Sequence, residues 1–212
     1  MDTNQLIRTL AADNAHHAPK VGAVLTMGLL AGAPLSLLIF VTFLGVRPDL
    51  TTAMHNPFFD MKFAVTLSLA IPAIIVSLHM SRPEALMRGW AWLLLLPAGL
   101  LAVAIGSEAM MAPAMPATMR LMGRNSRYCL TAIPAMSLPL LAGALFSLRH
   151  GATSRPALAG ALAGLLSAGL AATIYATHCT DDSPLFVATW YTVATMLVTI
   201  IGAAVGSRIL RY

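Results

Sequence analysis

Six long apolar stretches constrain this chain more than any other feature of its sequence. A helix that crosses the hydrocarbon core of a membrane needs about 20 mostly apolar residues, and each stretch is close to that length or longer. Charged residues make up only 10% of the chain and its mean hydropathy is +0.78, whereas a soluble domain carries roughly 25% charged residues. The sequence therefore predicts an all-α membrane protein, a bundle of six transmembrane helices. The predicted spans are Val21–Gly45, Phe63–Met80, Trp90–Met110, Cys129–Leu148, Ala157–His178 and Leu185–Gly206.

The spans divide the chain into one membrane domain and two short ends. Residues 21–206 form the predicted transmembrane domain, with a polar tail at 1–20 before it and a short C-terminus at 207–212 after it. No room remains for a separate soluble domain. The first span is longer than the roughly 7–15-residue apolar core of a cleavable signal peptide, so we expect it to remain as an anchor.

An even number of spans places both ends of the chain on the same side of the membrane. Arginine and lysine are enriched in cytoplasmic loops. If the N-terminus is cytoplasmic, eight cations lie inside and five lie outside. This bias predicts a multi-pass membrane protein with both termini cytoplasmic.

Small residues recur every fourth position in several spans, which lets membrane helices approach closely. The first span carries Gly28, Gly32 and Ser36, and the sixth carries Gly202 and Gly206. The fifth span carries the longest series, which is Gly160, Gly164, Ala168, Ala172 and Ala176. We interpret these stripes as packing surfaces, and they leave open whether two copies also associate as a homodimer.

The two cysteines are predicted to lie at the same face of the membrane. Cys129 begins the fourth span and Cys179 follows the fifth, so with a cytoplasmic N-terminus both face the oxidising outer compartment. Three interpretations stay open for the pair. The thiols are apolar filler, or they form a structural disulfide, or they are a reactive pair that binds a soft metal ion.

Other candidate ligands stand near these cysteines in the sequence. His178 adjoins Cys179, and Arg124 and Arg127 precede Cys129, where a nearby cation favours the thiolate that binds metal. Thiolate, imidazole and thioether groups are ligands for soft or borderline metals. A further segment carries five methionines, whose role as ligands or as gap-fillers stays open. They are Met110, Met111, Met115, Met119 and Met122.

Several functional classes are disfavoured by what the spans contain. Proton-coupled transporters usually carry ionisable residues at membrane depth, but Glu108 is the only acidic residue within a predicted span and no span has a charge at its centre. No phosphate loop, zinc-protease helix or nucleophile elbow is present. We therefore expect no enzyme activity, no required cofactor and no direct contact with nucleic acid. A small membrane transporter or metal-handling protein remains the alternative function.

The polar tail has the pattern of a short amphipathic helix. Leu6, Ile7 and Leu10 fall on one helical face, and Pro19 ends the helix before the membrane. Strongly basic faces are typical of helices that lie on a membrane surface, and this tail has a central aspartate instead. We interpret Leu6, Ile7 and Leu10 as a face that docks in a groove of a cytosolic partner, with adsorption to the bilayer as the alternative.

Four segments of the sequence resemble the NrsF-type negative regulators of sigma F, a family of membrane anti-sigma factors. They are the tail segment Leu6–Asp13, the Tyr128-Cys129-Leu130 segment, the Arg155-Pro156-Ala157 segment and the block Tyr175–Tyr191. The resemblance extends over the whole chain, and the block around His178 and Cys179 is its most specific part.

The resemblance implies an integral membrane anti-sigma factor of a proteobacterium. Such a protein holds an extracytoplasmic-function sigma factor at the inner membrane and releases it under metal or oxidative stress. Carried over by position, the sensing residues implied are Cys129 and Cys179. Our hypothesis is that this pair, with His178, transiently binds a soft ion of the copper, zinc or cadmium class or becomes oxidised, and that the tail then releases its partner.

Overall fold

Each predicted span forms a helix in the computed structural model, which describes residues 2–5, 7, 21–80, 91–111, 115–151 and 153–210. The first half contains α1 (Val21–Phe43), α2 (Leu50–Ala53), α3 (Pro57–Met80), a 3₁₀ turn (Ala91–Leu95), α4 (Leu96–Met110) and α5 (Ala117–Met122). The second half contains α6 (Ser126–Leu148), α7 (Pro156–Ala176), α8 (Pro184–Phe186), a π-helical turn (Val187–Tyr191) and α9 (Thr192–Ile209). No strand occurs among these described residues. Six helices are long and apolar enough to cross a membrane, which confirms the predicted class.

Two helix boundaries differ from the sequence prediction in ways that matter for the site. Helix α3 begins at Pro57, six residues before the predicted start, because proline fits the first helical turn and Asn56 Oδ1 accepts the Phe58 N–H at 3.1 Å. Lys62 therefore lies inside a helix and not in a loop. The sixth span contains the π-helical turn, which follows Pro184 and carries Trp190 and Tyr191.

Helix α7 lies at the centre of the bundle, in contact with α3, α6 and α9. Helix α1 packs on α6 and α4 packs on α3. The outer helices α1 and α4 expose most of their apolar side chains, as expected of surfaces that face lipid. The long loops before α3, before α6 and after α7 meet at one end of the bundle, which we call the cysteine end.

The small-residue stripes pack helix against helix within the chain. A Cβ atom added at Gly160 would collide with the carbonyl oxygen of Gly202, and one added at Gly28 would collide with the carbonyl oxygen of Gly143. Ser36 Oγ donates a hydrogen bond of 2.6 Å to the Met136 carbonyl oxygen between α1 and α6. The interpretation of these stripes as packing surfaces is confirmed, and they join α7 to α9 and α1 to α6.

The proposed docking face of the tail is described only in part. Ile7 is helical and 58% exposed. Leu6 and Leu10 lie outside the described residues, as do residues 8–20 between Ile7 and α1.

Candidate functional site: two buried thiols at one end of the bundle

Cys129 and Cys179 share one buried cluster at the cysteine end. Cys129 lies on the first turn of α6, and Cys179 lies three residues after the end of α7. Both are free thiols, both are fully buried, and both belong to the same packed cluster. The fold therefore brings the two cysteines together at one end of the bundle, and the side of the membrane that this end faces stays a prediction.

Aromatic rings enclose the two thiols. Tyr175, Phe186 and Tyr191 belong to the same cluster, and we call these three rings with the two cysteines the cysteine core. The Tyr175 and Tyr191 ring centroids lie 5.7 Å apart, and those of Phe186 and Tyr191 lie 6.4 Å apart. The Tyr191 hydroxyl is buried beside the Cys179 thiol. The core thus contains a polar hydroxyl as well as two polarizable sulfur atoms.

The backbone at Cys179 is held by two buried cations. Lys62 Nζ donates to the Cys179 carbonyl oxygen at 2.9 Å, and Arg47 Nη1 donates to the same oxygen at 3.2 Å. Asp182 neutralises both, with Oδ1 at 2.6 Å from Lys62 Nζ and 3.0 Å from Arg47 Nη1. We call Arg47, Lys62 and Asp182 the ionic clamp.

Further contacts tie the clamp to its surroundings. Arg47 also forms a bidentate pair with Asp49, at 2.8 and 2.7 Å. The hydrogen bond from Arg47 holds the pKa of Asp49 at about 2, below its usual value. Phe59 lies beneath both cations, with its ring centroid 5.5 Å from Arg47 Cζ and 5.2 Å from Lys62 Nζ. A buried charge is tolerated only when it is paired and hydrogen-bonded, and these contacts meet that condition.

A carboxylate fixes the other side of the Cys179 loop. Asp181 Oδ2 accepts hydrogen bonds from the backbone N–H groups of Arg124 and Asn125 at 2.9 and 2.8 Å, and from Asn125 Nδ2 at 3.0 Å. The Cys179 S–H donates a hydrogen bond to the Asp181 carbonyl oxygen, which lies 3.7 Å from Cys179 Sγ. The loop that carries Cys179 is therefore bound to the loop that leads into α6 and Cys129.

Burial dominates the acid–base behaviour of the Cys179 thiol. It raises the pKa of this thiol above its usual range, and the nearby charge of Lys62 offsets part of that rise. A buried structural cysteine is inert, whereas a sensor cysteine is usually accessible and acidic. Cys179 is thus protonated at neutral pH, and its reaction with metal or oxidant requires loss of that proton.

His178 adjoins Cys179 in the sequence, but its ring takes a separate position. Its Nδ1 donates to the Gly45 carbonyl oxygen at 2.9 Å, and the ring lies against Tyr128 and Tyr175 with centroid separations of 6.5 and 5.8 Å. Within the described part of the chain, no group of three or more His, Cys, Asp and Glu side chains is arranged to hold a metal ion. The two thiols therefore form the centre of the candidate site, and His178 borders it.

The short helix α5 completes the wall of the cysteine end. Trp190 Nε1, in the π-helical turn, donates to the Leu121 carbonyl oxygen at 2.8 Å. Arg120 Nη1 pairs with Glu108 Oε2 at 2.6 Å, and Ser183 Oγ donates to the same Glu108 oxygen at 3.3 Å. Glu108, the only acidic residue predicted within a span, is thus paired at the end of α4.

Sequence reasoning missed the clamp and the contacts of α5. In the sequence, Arg47 follows the predicted span Val21–Gly45 and Lys62 precedes Phe63–Met80, so they count only as two of the five outer cations. Nothing in the sequence indicates that Asp182 pairs with them. One signal was available, which is the position of Lys62 directly before a long apolar run. A charged residue in such a position must either remain at the surface or find a partner.

Comparison with known proteins identifies the family. Residues 10–212 match the family described as negative regulator of sigma F, NrsF. The chain is 35% identical to the anti-sigma-F factor NrsF of Caulobacter vibrioides and 31% identical to the probable anti-sigma-F factor NrsF of Azospira oryzae, each across the full length of both chains. No solved structure matches the chain. The fold and the family together define a regulatory membrane protein with six candidate spans. This chain belongs to the NrsF family.

Proposed function

We propose that this protein is a membrane-bound anti-sigma factor that sequesters an extracytoplasmic-function sigma factor of the sigma F type at the bacterial inner membrane. The observation that carries the proposal is full-length similarity to two proteins named as anti-sigma-F factors. The six apolar helices supply the anchor. The excess of arginine and lysine on one side supports a cytoplasmic position for both termini, where a sigma factor is accessible.

The tail is the proposed contact with the sigma factor. Leu6, Ile7 and Leu10 present one apolar face, and Ile7 is exposed by 58% in a helical segment. An amphipathic helix that docks in a groove buries this kind of i, i+1, i+4 face. The tail precedes α1 in the sequence, so α1 is the membrane helix next to the docking face along the chain.

The cysteine core is the proposed sensor, with the outer compartment as the source of the stimulus. Two neighbouring thiols can bind one soft metal ion with the loss of their protons. Alternatively, a peroxide takes two electrons and two protons from the pair, a disulfide forms and water leaves. Either event joins the start of α6 to the loop after α7 and changes the packing of the aromatic rings around the thiols.

A route of contacts runs from the cysteine core to the N-terminal part of α1. Cys129 is part of α6, and α6 packs against α1 through Gly143 and Gly28, so closely that a Cβ on either glycine would meet backbone of the other helix. Ser147 Oγ also donates to the Val24 carbonyl oxygen at 2.8 Å near the N-terminal end of α1. A sensing event that shifts α6 would thus shift α1, provided that the bundle has two packings which both ends can bias.

Replacement of both thiols tests the sensor. Alanine is preferable to serine at these positions because a buried hydroxyl without a partner is costly. In cells that carry a sigma-dependent reporter, the Cys129→Ala/Cys179→Ala variant should repress normally and lose its response to Cd²⁺ and peroxide. Thr131→Ala, on an exposed position of the same helix, is the matched control and should respond like wild type. An undiminished response of the double alanine variant contradicts the sensing role.

Removal of the tail tests sigma binding separately. Deletion of residues 1–13 should release the sigma factor without any stimulus, and Leu6→Ala/Ile7→Ala/Leu10→Ala should do the same in the full-length chain. The control is Gln5→Ala/Thr9→Ala, which replaces two tail residues that do not belong to the apolar face. Reporter output and co-purification of the sigma factor are the measurements. Continued repression by the three-alanine variant would refute the docking role of this face.

A further inference from the structure

A cavity of about 760 Å³ opens at the cysteine end, beside the cysteine core and distinct from it. Its wall combines thioether groups with paired ionic groups. Met115, Met119 and Met122 line it, together with Glu108, Arg120 and Asp182. Cys129 and Cys179 do not line the cavity, so whatever binds there contacts a different set of side chains.

Two of the three methionines lie on α5 and the third lies just before it. Met119 and Met122 are three residues apart on one side of the helix. Met115 lies two residues before α5 begins, and the fold brings it to the same cavity. Their side chains are 60, 65 and 57% exposed. Methionine commonly fills gaps in apolar cores, but these three are not in a core. They line a cavity whose other wall is charged.

The ionic groups of the cavity largely cancel one another. The charge of Arg120 is neutralised by Glu108 at 2.6 Å, and that of Arg47 by Asp49 and Asp182. Arg124, the third arginine of the lining, is exposed to solvent that screens its charge. A hard divalent cation would need free carboxylates and waters, which these paired carboxylates do not offer. Uncharged sulfur ligands suit a soft monovalent ion instead.

We propose that Met115, Met119 and Met122 form a thioether site that binds one soft monovalent metal ion, of the Cu⁺ or Ag⁺ class. The site is separate from the thiol pair and does not depend on the proposed function. It adjoins the cysteine core through α5, since Trp190 donates to the Leu121 carbonyl oxygen and Gly123 packs against the Phe186 ring. An ion held by the three sulfur atoms would restrain α5 against that core.

Silver titration of the purified full-length protein in detergent micelles tests the site. Ag⁺ is the probe because it does not change oxidation state, and the Cys129→Ala/Cys179→Ala background removes thiol binding. We expect calorimetry to show one bound Ag⁺ in this background. Adding Met115→Leu/Met119→Leu/Met122→Leu should weaken binding by at least about tenfold, or about 1.4 kcal/mol.

The control variant removes three other exposed methionines in the same background. Met54→Leu/Met110→Leu/Met111→Leu changes residues that are exposed but do not line the cavity, and it should keep the affinity of the background. Equal affinity in the two leucine variants, or no Ag⁺ uptake by the cysteine-free protein, would overturn the proposal. Methyl NMR of ¹³C-methionine-labelled protein gives a second readout without the triple variant. The Met115, Met119 and Met122 signals should shift with Ag⁺, and unshifted signals would contradict the site.

Discussion

Lys62 Nζ lies 2.9 Å from the carbonyl oxygen of Cys179, and the Lys62 side chain is completely buried. The lysine belongs to the second turn of α3, and the carbonyl belongs to a loop 117 residues later. This contact, with that of Arg47 to the same oxygen, fixes the loop that carries one of the two thiols. The surroundings of the pair therefore depend on ionic groups that take no part in sulfur chemistry.

Removal of Asp182 should cost more stability than removal of Lys62. Asp182→Asn leaves Lys62 and Arg47 buried near each other without their shared counter-charge, and breaking a buried pair in this way typically costs about 3–5 kcal/mol. Lys62→Met leaves Asp182 paired with Arg47 and 16% exposed, so its cost should be smaller. The measurement is the apparent unfolding temperature in detergent. The Lys62→Met/Asp182→Asn double variant should be more stable than Asp182→Asn alone, and the reverse order would refute the clamp.

Metal binding at the thiol pair should strengthen as the pH rises. The pKa of Cys179 is raised by burial, so the thiol is protonated at neutral pH and must lose its proton to coordinate Cd²⁺. Between pH 6 and 8 the apparent affinity should rise by about tenfold per pH unit for each proton released. Calorimetry in buffers with different ionisation enthalpies counts those protons. An affinity independent of pH would show that Cys179 is not a ligand.

The same raised pKa sets the direction of a change in stability. At alkaline pH the unfolded chain loses the Cys179 proton first, while the folded chain keeps it, so the unfolded state binds fewer protons. The free energy of unfolding should therefore fall as the pH rises above the ordinary thiol value of about 8.5. Cys179→Ala removes this contribution, and its unfolding temperature should decline less steeply between pH 8 and 10 than that of wild type.

Loss of the Trp190 indole N–H should loosen α5. Trp190→Phe keeps an aromatic ring but removes the 2.8 Å hydrogen bond to the Leu121 carbonyl oxygen, at a net cost of about 1 kcal/mol. Trypsin should then cleave after Arg120 and Arg124 several times faster than in wild type. Trp92→Phe, at a residue that is 72% exposed, is the control and should leave the cleavage rate unchanged. Equal rates in the two variants would contradict a role of Trp190 in holding α5.

A methyl group between α7 and α9 should destabilise the bundle. Gly160→Ala places a Cβ against the Gly202 carbonyl oxygen, and overpacking of this kind costs about 1–3 kcal/mol. Gly106→Ala is the matched control, because nothing lies within 4 Å of its added Cβ and alanine favours a helix. We expect a lowered unfolding temperature for the first variant and an unchanged or raised one for the second. A Gly160→Ala protein as stable as wild type would mean that the two helices do not approach this closely.

The six spans could be predicted because their signal is local. A run of about 20 apolar residues is visible in the sequence, and so are Gly160 and Gly202 at packing intervals. The clamp could not be predicted in the same way, because Lys62 and Asp182 are brought together only by the packing of α3 against α7. The direction of the His178 ring was equally hidden, since adjacent residues at a helix end can point to different surroundings. The methionine spacing was visible, but only the fold shows that three of the five line one cavity.

The clamp binds the main chain at position 179 and not the sulfur atom. Lys62 and Arg47 both donate to the carbonyl oxygen, a group that every amino acid possesses. The location of this position is thus set independently of the side chain that occupies it. A substitution at 179 therefore leaves both main-chain contacts available, so the side chain can change while the loop keeps its attachment to α3 and to the loop after α1.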